Sequence, residues 1–316
     1  MCFTSLIKMS TFSAYKAVNK YILCQAGIGI SSNNFLLFHI FKNSQYHKPK
    51  VTDLITCHLA LVHIMMLLTV LFLTSPDLFE SLNFLNDFKC KALFYISRVM
   101  RGLSIYTTCI LSVIQAITIS PSTSWLANFK YKSIKFIFYL FLLLWFLCLS
   151  SCTTMIFHIV ANSNVTQTDL MILTEHCSFS PMSHSIKDLM FTMTTSRDVF
   201  LISVMLLSSV YMVILLSRHQ KRSQHLHSTS LSPRSSPEKR ATQTILLLVS
   251  FFVVMYWVDF IISSSSMILW TYDSVILGVQ GVVVNAYATV SPLVLISSNK
   301  RNINLLQNLS WKTFQF

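Results

Sequence analysis

The chain has 316 residues and a formal net charge of +13, with 53% hydrophobic residues, only 11% charged residues and a mean hydropathy of +0.59. This is too apolar for an ordinary soluble domain and too short for several, so it predicts one polytopic membrane domain surrounded by lipid. The basic excess does not read as a nucleic-acid surface, because Lys and Arg collect in loops without interleaved aromatic stacking residues; it reads as a membrane-orientation signal.

A helix crossing the hydrocarbon core, about 30 Å thick, needs about 20 mainly apolar residues. Seven segments qualify, near 18–41, 52–74, 91–119, 134–159, 189–216, 241–264 and 275–297. The first is the least apolar, interrupted by Gln25, Ser31, Ser32, Asn33 and Asn34, whereas the fourth (IKFIFYLFLLLWFLCL) and sixth (TILLLVSFFVVMYWV) are nearly unbroken. The expected organisation is an outer segment 1–17, a seven-span domain 18–297 and a tail 298–316. The fold class is therefore an all-α membrane protein, a seven-transmembrane helix bundle. The start shows no compact charged, apolar and small-residue leader, so the first span is expected to serve as its own anchor.

Lys and Arg are retained on the cytoplasmic side during insertion. With the N-terminus outside, the inner segments hold fifteen of the 24 basic residues, the outer segments six, and the spans the remaining Arg98, Arg101 and Arg197. That imbalance predicts an outer N-terminus and a cytoplasmic C-terminus. The sequon Asn164-Val165-Thr166 follows the fourth span, on the side where glycans are added, while Asn308-Leu309-Ser310 falls inside and is expected to stay bare. Of the eight cysteines, Cys24, Cys57, Cys109, Cys148 and Cys152 lie in spans, where a small apolar side chain packs. Cys90 and Cys177 both face the oxidising side and are expected to be bridged, pinning the second outer loop across the mouth of the bundle.

Five charges lie well inside spans, away from their ends: Arg98 and Arg101 in the third, Arg197 and Asp198 in the fifth, and Asp259 in the sixth. Counted from the cytoplasmic ends, all reach the outer third, and Arg98 and Arg101, three residues apart, share a helix face. Intramembrane charges face a bundle interior or a watered cavity. These five are candidates for contacting a ligand in a polar chamber; the alternatives are neutralising one another and reaching outward to the interface.

Nothing points to catalysis. The sequence has no Gly-rich phosphate loop, no H-E-x-x-H helix, no G-x-S-x-G elbow and no zinc-type spacing, so neither enzymatic activity, metal nor cofactor is expected. A small-molecule carrier remains as an alternative, although internal repeats and paired broken helices are not evident. The third inner loop, SRHQKRSQHLHSTSLSPRSSPEKR, is basic and rich in Ser and Pro, as expected of a flexible connector. Together with Lys130 and Lys132 in the second inner loop, its Arg218, Lys221, Arg222, Lys239 and Arg240 are candidates for a cytoplasmic partner's surface. Pro292, within the seventh span, is a candidate hinge.

Four stretches carry a resemblance: SRVMRGLSIYTTCILSVIQAITISPSTSWL (97–126), CSFSP (177–181), RHQKRSQHLHSTSLSPRSSPEKRATQTILLLVSFFVVMYW (218–257) and NAYATVSPLVLISS (285–298). In these the chain resembles the vomeronasal type 1 (pheromone) receptors, a branch of the G protein-coupled receptors, with weaker similarity over nearly its whole length. The resemblance implies a receptor for small organic social cues in the plasma membrane of vomeronasal or olfactory neurons. It also implies signalling through a heterotrimeric G protein of the inhibitory class, a glycan on Asn164 and the Cys90–Cys177 bridge. A bitter-taste-like receptor is the neighbouring alternative. Gln115-Ala116-Ile117 stands where the broad rhodopsin-like class has an acidic-Arg-Tyr triplet, and Ser291-Pro292-Leu293-Val294-Leu295 where it has Asn-Pro-x-x-Tyr. The vomeronasal branch shares both departures. Ser32 and His63 depart from the branch itself, which commonly has Gly and Asn there, and either change bears on helix packing.

Overall fold

The structure, a computed structural model, describes residues 2–46, 50–82, 86–121, 134–161, 171–172, 177–179, 183–226, 237–269 and 274–298. It is a bundle of seven long helices, α1 (Cys2–Tyr46), α2 (Val51–Thr74), α4 (Asn86–Ile119), α5 (Ile134–Ile156), α6 (His184–Leu226), α7 (Pro237–Leu269) and α8 (Ser274–Ser298). A short α3 (Pro76–Ser81) and three short strands, β1 (Ile159–Ala161), β2 (Met171–Ile172) and β3 (Cys177–Phe179), complete the described elements. Six helices, α2 and α4 to α8, are long and apolar enough to cross a membrane. The seventh, α1, is long enough but falls short in hydropathy, because of the polar run already visible in its sequence. That run is accommodated by turning donors back on the preceding turn: Ser31 Oγ donates to Gly27 O at 2.9 Å, Ser32 Oγ to Gly29 O at 3.1 Å and Asn34 Nδ2 to Ile30 O at 3.0 Å.

The central helix is α4, which touches α2, α5, α6 and α7. Its apolar span is 61% buried, against 28% for each of α5, α6 and α7, which turn large apolar side chains such as Phe138, Phe146, Leu207 and Ile261 outward. In a lipid solvent that outward face carries no penalty, and packing, small residues and hydrogen bonds hold the interior. The α2–α4–α5 seam shows the pattern. Trp145 Nε1 donates to His58 Nε2 at 3.0 Å, and His58 Nδ1 meets Thr107 Oγ1 at 3.1 Å. Because an indole N–H only donates, His58 must carry its proton on Nδ1 and donate it to Thr107. The His58 ring also stacks on Phe141, with centroids 4.2 Å apart.

The α1–α2–α8 seam is closer still. A Cβ on Gly29 would lie 2.6 Å from Leu67 Cδ1 and 2.9 Å from Thr289 Oγ1, so only glycine lets the three helices approach this far. Beside it, Pro292 has no N–H to offer the carbonyl four residues back, that of Ala288. Asn33 supplies the missing donor from α1: its Nδ2 lies 2.9 Å from Ala288 O and 2.7 Å from Gly29 O. Asn33 is fully buried, as expected of a side chain that repairs a broken helix bond inside the bundle.

At one end of the bundle Cys90 and Cys177 are joined by a disulfide, with Cα atoms 5.7 Å apart. It ties α4 to β3, the central strand of an antiparallel sheet in the order β1-β3-β2, in which Ala161 faces Cys177. Leu73, Phe79, Leu93 and Ile159 pack around the bridge as a small separate core. Lys89, one of the six outer basic residues of the sequence reading, is buried, donating to Phe79 O at 3.2 Å with its ammonium 4.8 Å from the Phe79 ring centroid.

Three differences from the sequence reading concern extent. Helix α1 begins at Cys2 rather than near residue 18, and α6 continues to Leu226 while α7 begins at Pro237, so much of the expected flexible loop is helical. Helix propagation adds one hydrogen bond per residue, Arg, Gln, Lys and Leu are good helix formers, and Pro fits the first helical position. Of the span cysteines, Cys109, Cys148 and Cys152 are buried as expected, but Cys24 is exposed on α1.

The Asn33 repair predicts a coupling. Asn33→Ala should destabilise the purified protein by about 1–3 kcal/mol by leaving a buried carbonyl without a donor. The same change in a Pro292→Ala background, where residue 292 regains its N–H, should cost clearly less in thermal unfolding. Equal losses in both backgrounds would show that Asn33 does something else.

Candidate functional site

The five intramembrane charges come together around α4, but not as one ring. Arg101 Nη2 on α4 is paired with Asp259 Oδ2 on α7, and Gln280 Nε2 on α8 donates to the other oxygen, Asp259 Oδ1, at 3.0 Å. One carboxylate thus joins three helices. Asp198 is served differently: its own neighbour Arg197 gives Nε and Nη2 to Oδ1, both at 2.7 Å, and Tyr256 Oη on α7 donates to Oδ2 at 3.0 Å. Asp198 and Asp259 are 3% and 5% exposed, so each buried anion has both oxygens occupied, as burial requires.

Arg98 is the exception. It lies one turn from Arg101 on the same face of α4, and the charges acting on it are Arg101, Asp259 and Asp198, yet among the described residues it forms no ion pair or hydrogen bond. With three guanidiniums and two carboxylates in this cluster, it is the cation left over.

A cavity of about 40 Å³ opens between α4, α7 and α8, lined by Arg101, Ser104, Tyr256, Asp259 and Tyr287 together with Phe252. Arg98, Arg197 and Asp198 are not among its lining residues. That volume accommodates water rather than an organic molecule, since ligand pockets run to about 300–1,000 Å³. Of the five charges, Arg101 and Asp259 line this cavity and meet at it.

Beneath the cavity lies a polar joint that sequence reasoning did not assign. His63, fully buried on α2, places Nε2 2.9 Å from Ser104 Oγ on α4 and Nδ1 3.2 Å from Ser291 Oγ on α8. Its ring meets that of Tyr287 edge-on at 5.4 Å, and Tyr287 Oη lies 3.2 Å from Thr108 Oγ1. The departure from the branch pattern at His63 is thus fully partnered, and it connects a cavity-lining residue to the one before Pro292. The other departure, Ser32, also finds an acceptor in its own helix. A polar residue in each of three apolar runs was the available signal, but which of them meet depends on helix rotation.

Of the other candidates, Asn164, Lys130 and Lys132 lie outside the described residues. Arg218, Lys221 and Arg222 fall near the C-terminal end of α6, and Lys239 and Arg240 in the first turn of α7, with Arg218 exposed. These ends lie away from the disulfide. Among the described residues no cluster of His, Cys, Asp or Glu has the makings of a metal site.

Comparison with known proteins agrees with this architecture. Residues 16–308 match the vomeronasal organ pheromone receptor family. Vomeronasal type-1 receptor 90 of Rattus norvegicus is 47% identical over 287 residues, covering 90% of this chain and 92% of that protein. Vomeronasal type-1 receptor 42 of Mus musculus is 41% identical over 310 residues, covering 98% and 94% respectively. With the match running from α1 past the end of α8, the chain belongs to the vomeronasal organ pheromone receptor family, and is a membrane receptor of the G protein-coupled kind rather than an enzyme.

Proposed function

We propose that this receptor binds a small organic, pheromone-like molecule between α4, α7 and α8 toward the disulfide end of the bundle. There it contacts Arg101 and Asp259, with Arg98, Arg197 and Asp198 shaping the field, and in response the opposite face activates a heterotrimeric G protein of the inhibitory class. The observation that carries this reading is the cavity spanned by the Arg101–Asp259 pair, where buried charge meets apolar lining from Ile105 and Phe252. A disulfide persists on an oxidising side, so its position supports an outer N-terminus, a glycan on Asn164 and a cytoplasmic C-terminus in the plasma membrane of sensory neurons.

A ligand acts only by favouring one helix arrangement over another. The joint from Ser104 through His63 to Ser291 offers a physical connection from the cavity to Pro292, the hinge of this scheme. The readout is displacement of α6 and α7, whose far ends carry Arg218, Lys221, Arg222, Lys239 and Arg240; Lys130 and Lys132 belong to the same basic face.

In cells carrying a promiscuous G protein and screened with small volatiles and steroids, Arg101→Ala should reduce ligand potency roughly ten- to a hundredfold, the value of one charged hydrogen bond, at unchanged surface labelling. A response that survives the substitution intact rejects the contact. For orientation, glycosidase treatment should shift the wild-type band and leave Asn164→Gln unshifted, whereas a shift abolished by Asn308→Gln would invert the topology.

A further inference from the structure

The balance of charge and hydrogen bonding around α4 says what kind of ligand the cavity accepts. Every carboxylate oxygen in the cluster is already engaged, Asp198 by Arg197 and Tyr256, and Asp259 by Arg101 and Gln280. A protonated amine entering here would have to share carboxylate oxygens that already hold donors and would add to a cluster that already holds one surplus cation. A guanidinium, by contrast, has five N–H donors in a fixed fork. Arg98 has all of them uncommitted among the described residues, one turn from Arg101, whose own donors are only partly used.

We propose that Arg98 and Arg101 form an anion site for a monoanionic organic ligand bearing a carboxylate or sulfate, and that Asp259 fills part of this site as a built-in counter-ion when no ligand is bound. This inference rests on the receptor reading above and specifies its ligand. A single negative charge brings three cations and two anions to balance, so the incoming group neutralises Arg98 while competing with Asp259 for Arg101. As Arg101 turns to the ligand, Asp259 loses its tie to α4 and keeps the Gln280 bond to α8, while Tyr256 still joins α7 to Asp198 on α6, and the cavity widens from about 40 Å³. Binding and helix release are then one event. Apolar lining from Phe252, Met255 and Ile105 receives the body of the molecule.

The site can be tested without knowing the natural ligand by removing the built-in carboxylate and offering a free one. Purified Asp259→Gly is followed by thermal unfolding with a thiol-reactive dye, which reads exposure of the buried Cys109, Cys148 and Cys152. The substitution should lower the midpoint, and sodium acetate should restore it while acetamide and sodium chloride do not. Adding Arg101→Gln should abolish the rescue, and adding Arg98→Gln should raise the acetate concentration needed by about tenfold, a change of one charge-assisted contact. Equal effects of acetate and acetamide, or no rescue of a folded variant, overturn the proposal. If Asp259→Gly cannot be purified, surface delivery of Asp259→Ala in cells is the readout: recovery with acetate and not acetamide supports the site, and no recovery overturns it. Neither result bears on G protein activation, which the signalling assay decides separately.

Discussion

A chain in hydrocarbon has no water to complete its hydrogen bonds, and the Ala288 carbonyl shows how this receptor meets that constraint. Pro292 withdraws the N–H that would have met it, and Asn33 from another helix replaces it. The repair works only because α1 lies very close to α8, which in turn needs Gly29 free of a side chain against Leu67 and Thr289. Close approach also lets Gln25 Nε2 reach Val282 O at 3.2 Å. One missing backbone donor thus fixes where α1 sits, and α1 and α8 together frame one side of the bundle.

The same rule, applied to side chains, builds the site. Asp259 is buried because Arg101 and Gln280 satisfy it, and Asp198 because Arg197 and Tyr256 do. Breaking one partner of such a buried pair leaves an uncompensated charge, about 3–5 kcal/mol in soluble proteins, so these contacts are hard to open unless something of like charge replaces what is lost. In the scheme proposed above, a ligand opens them by supplying that charge.

How far the sequence alone reaches follows from what spacing encodes. Runs of apolar residues mark the spans α2 and α4 to α8, and the rise per residue places five charges in one layer; Cys90 and Cys177 are identifiable as bridge partners because both fall on one side. Pairing within the layer was not legible, since it depends on the rotation of each helix about its axis. Asp198 lies beside Arg197 in the chain and keeps it as a partner, whereas Asp259 selects Arg101 over Arg98 across a gap that only packing defines. Tyr256, Gln280 and His63 are visible as polar residues in apolar runs, but their partners sit on other helices, 21 to 228 residues away. Helix α1 outran its expected start because propagation does not stop where hydropathy falls.

The disulfide has a consequence for biogenesis. Its two cysteines are 87 residues apart, and the ring they close contains nearly all of α4 and the whole of α5. With the outer N-terminus proposed above, Cys177 reaches the oxidising compartment only after both helices have been synthesised and the chain has returned across the bilayer. The bond therefore cannot guide the insertion of that hairpin; it can only ratify it. A hairpin that inserted upside down would leave both cysteines in a reducing cytosol, unbridged, so the bridge serves as a chemical record that this part of the chain went in the right way round.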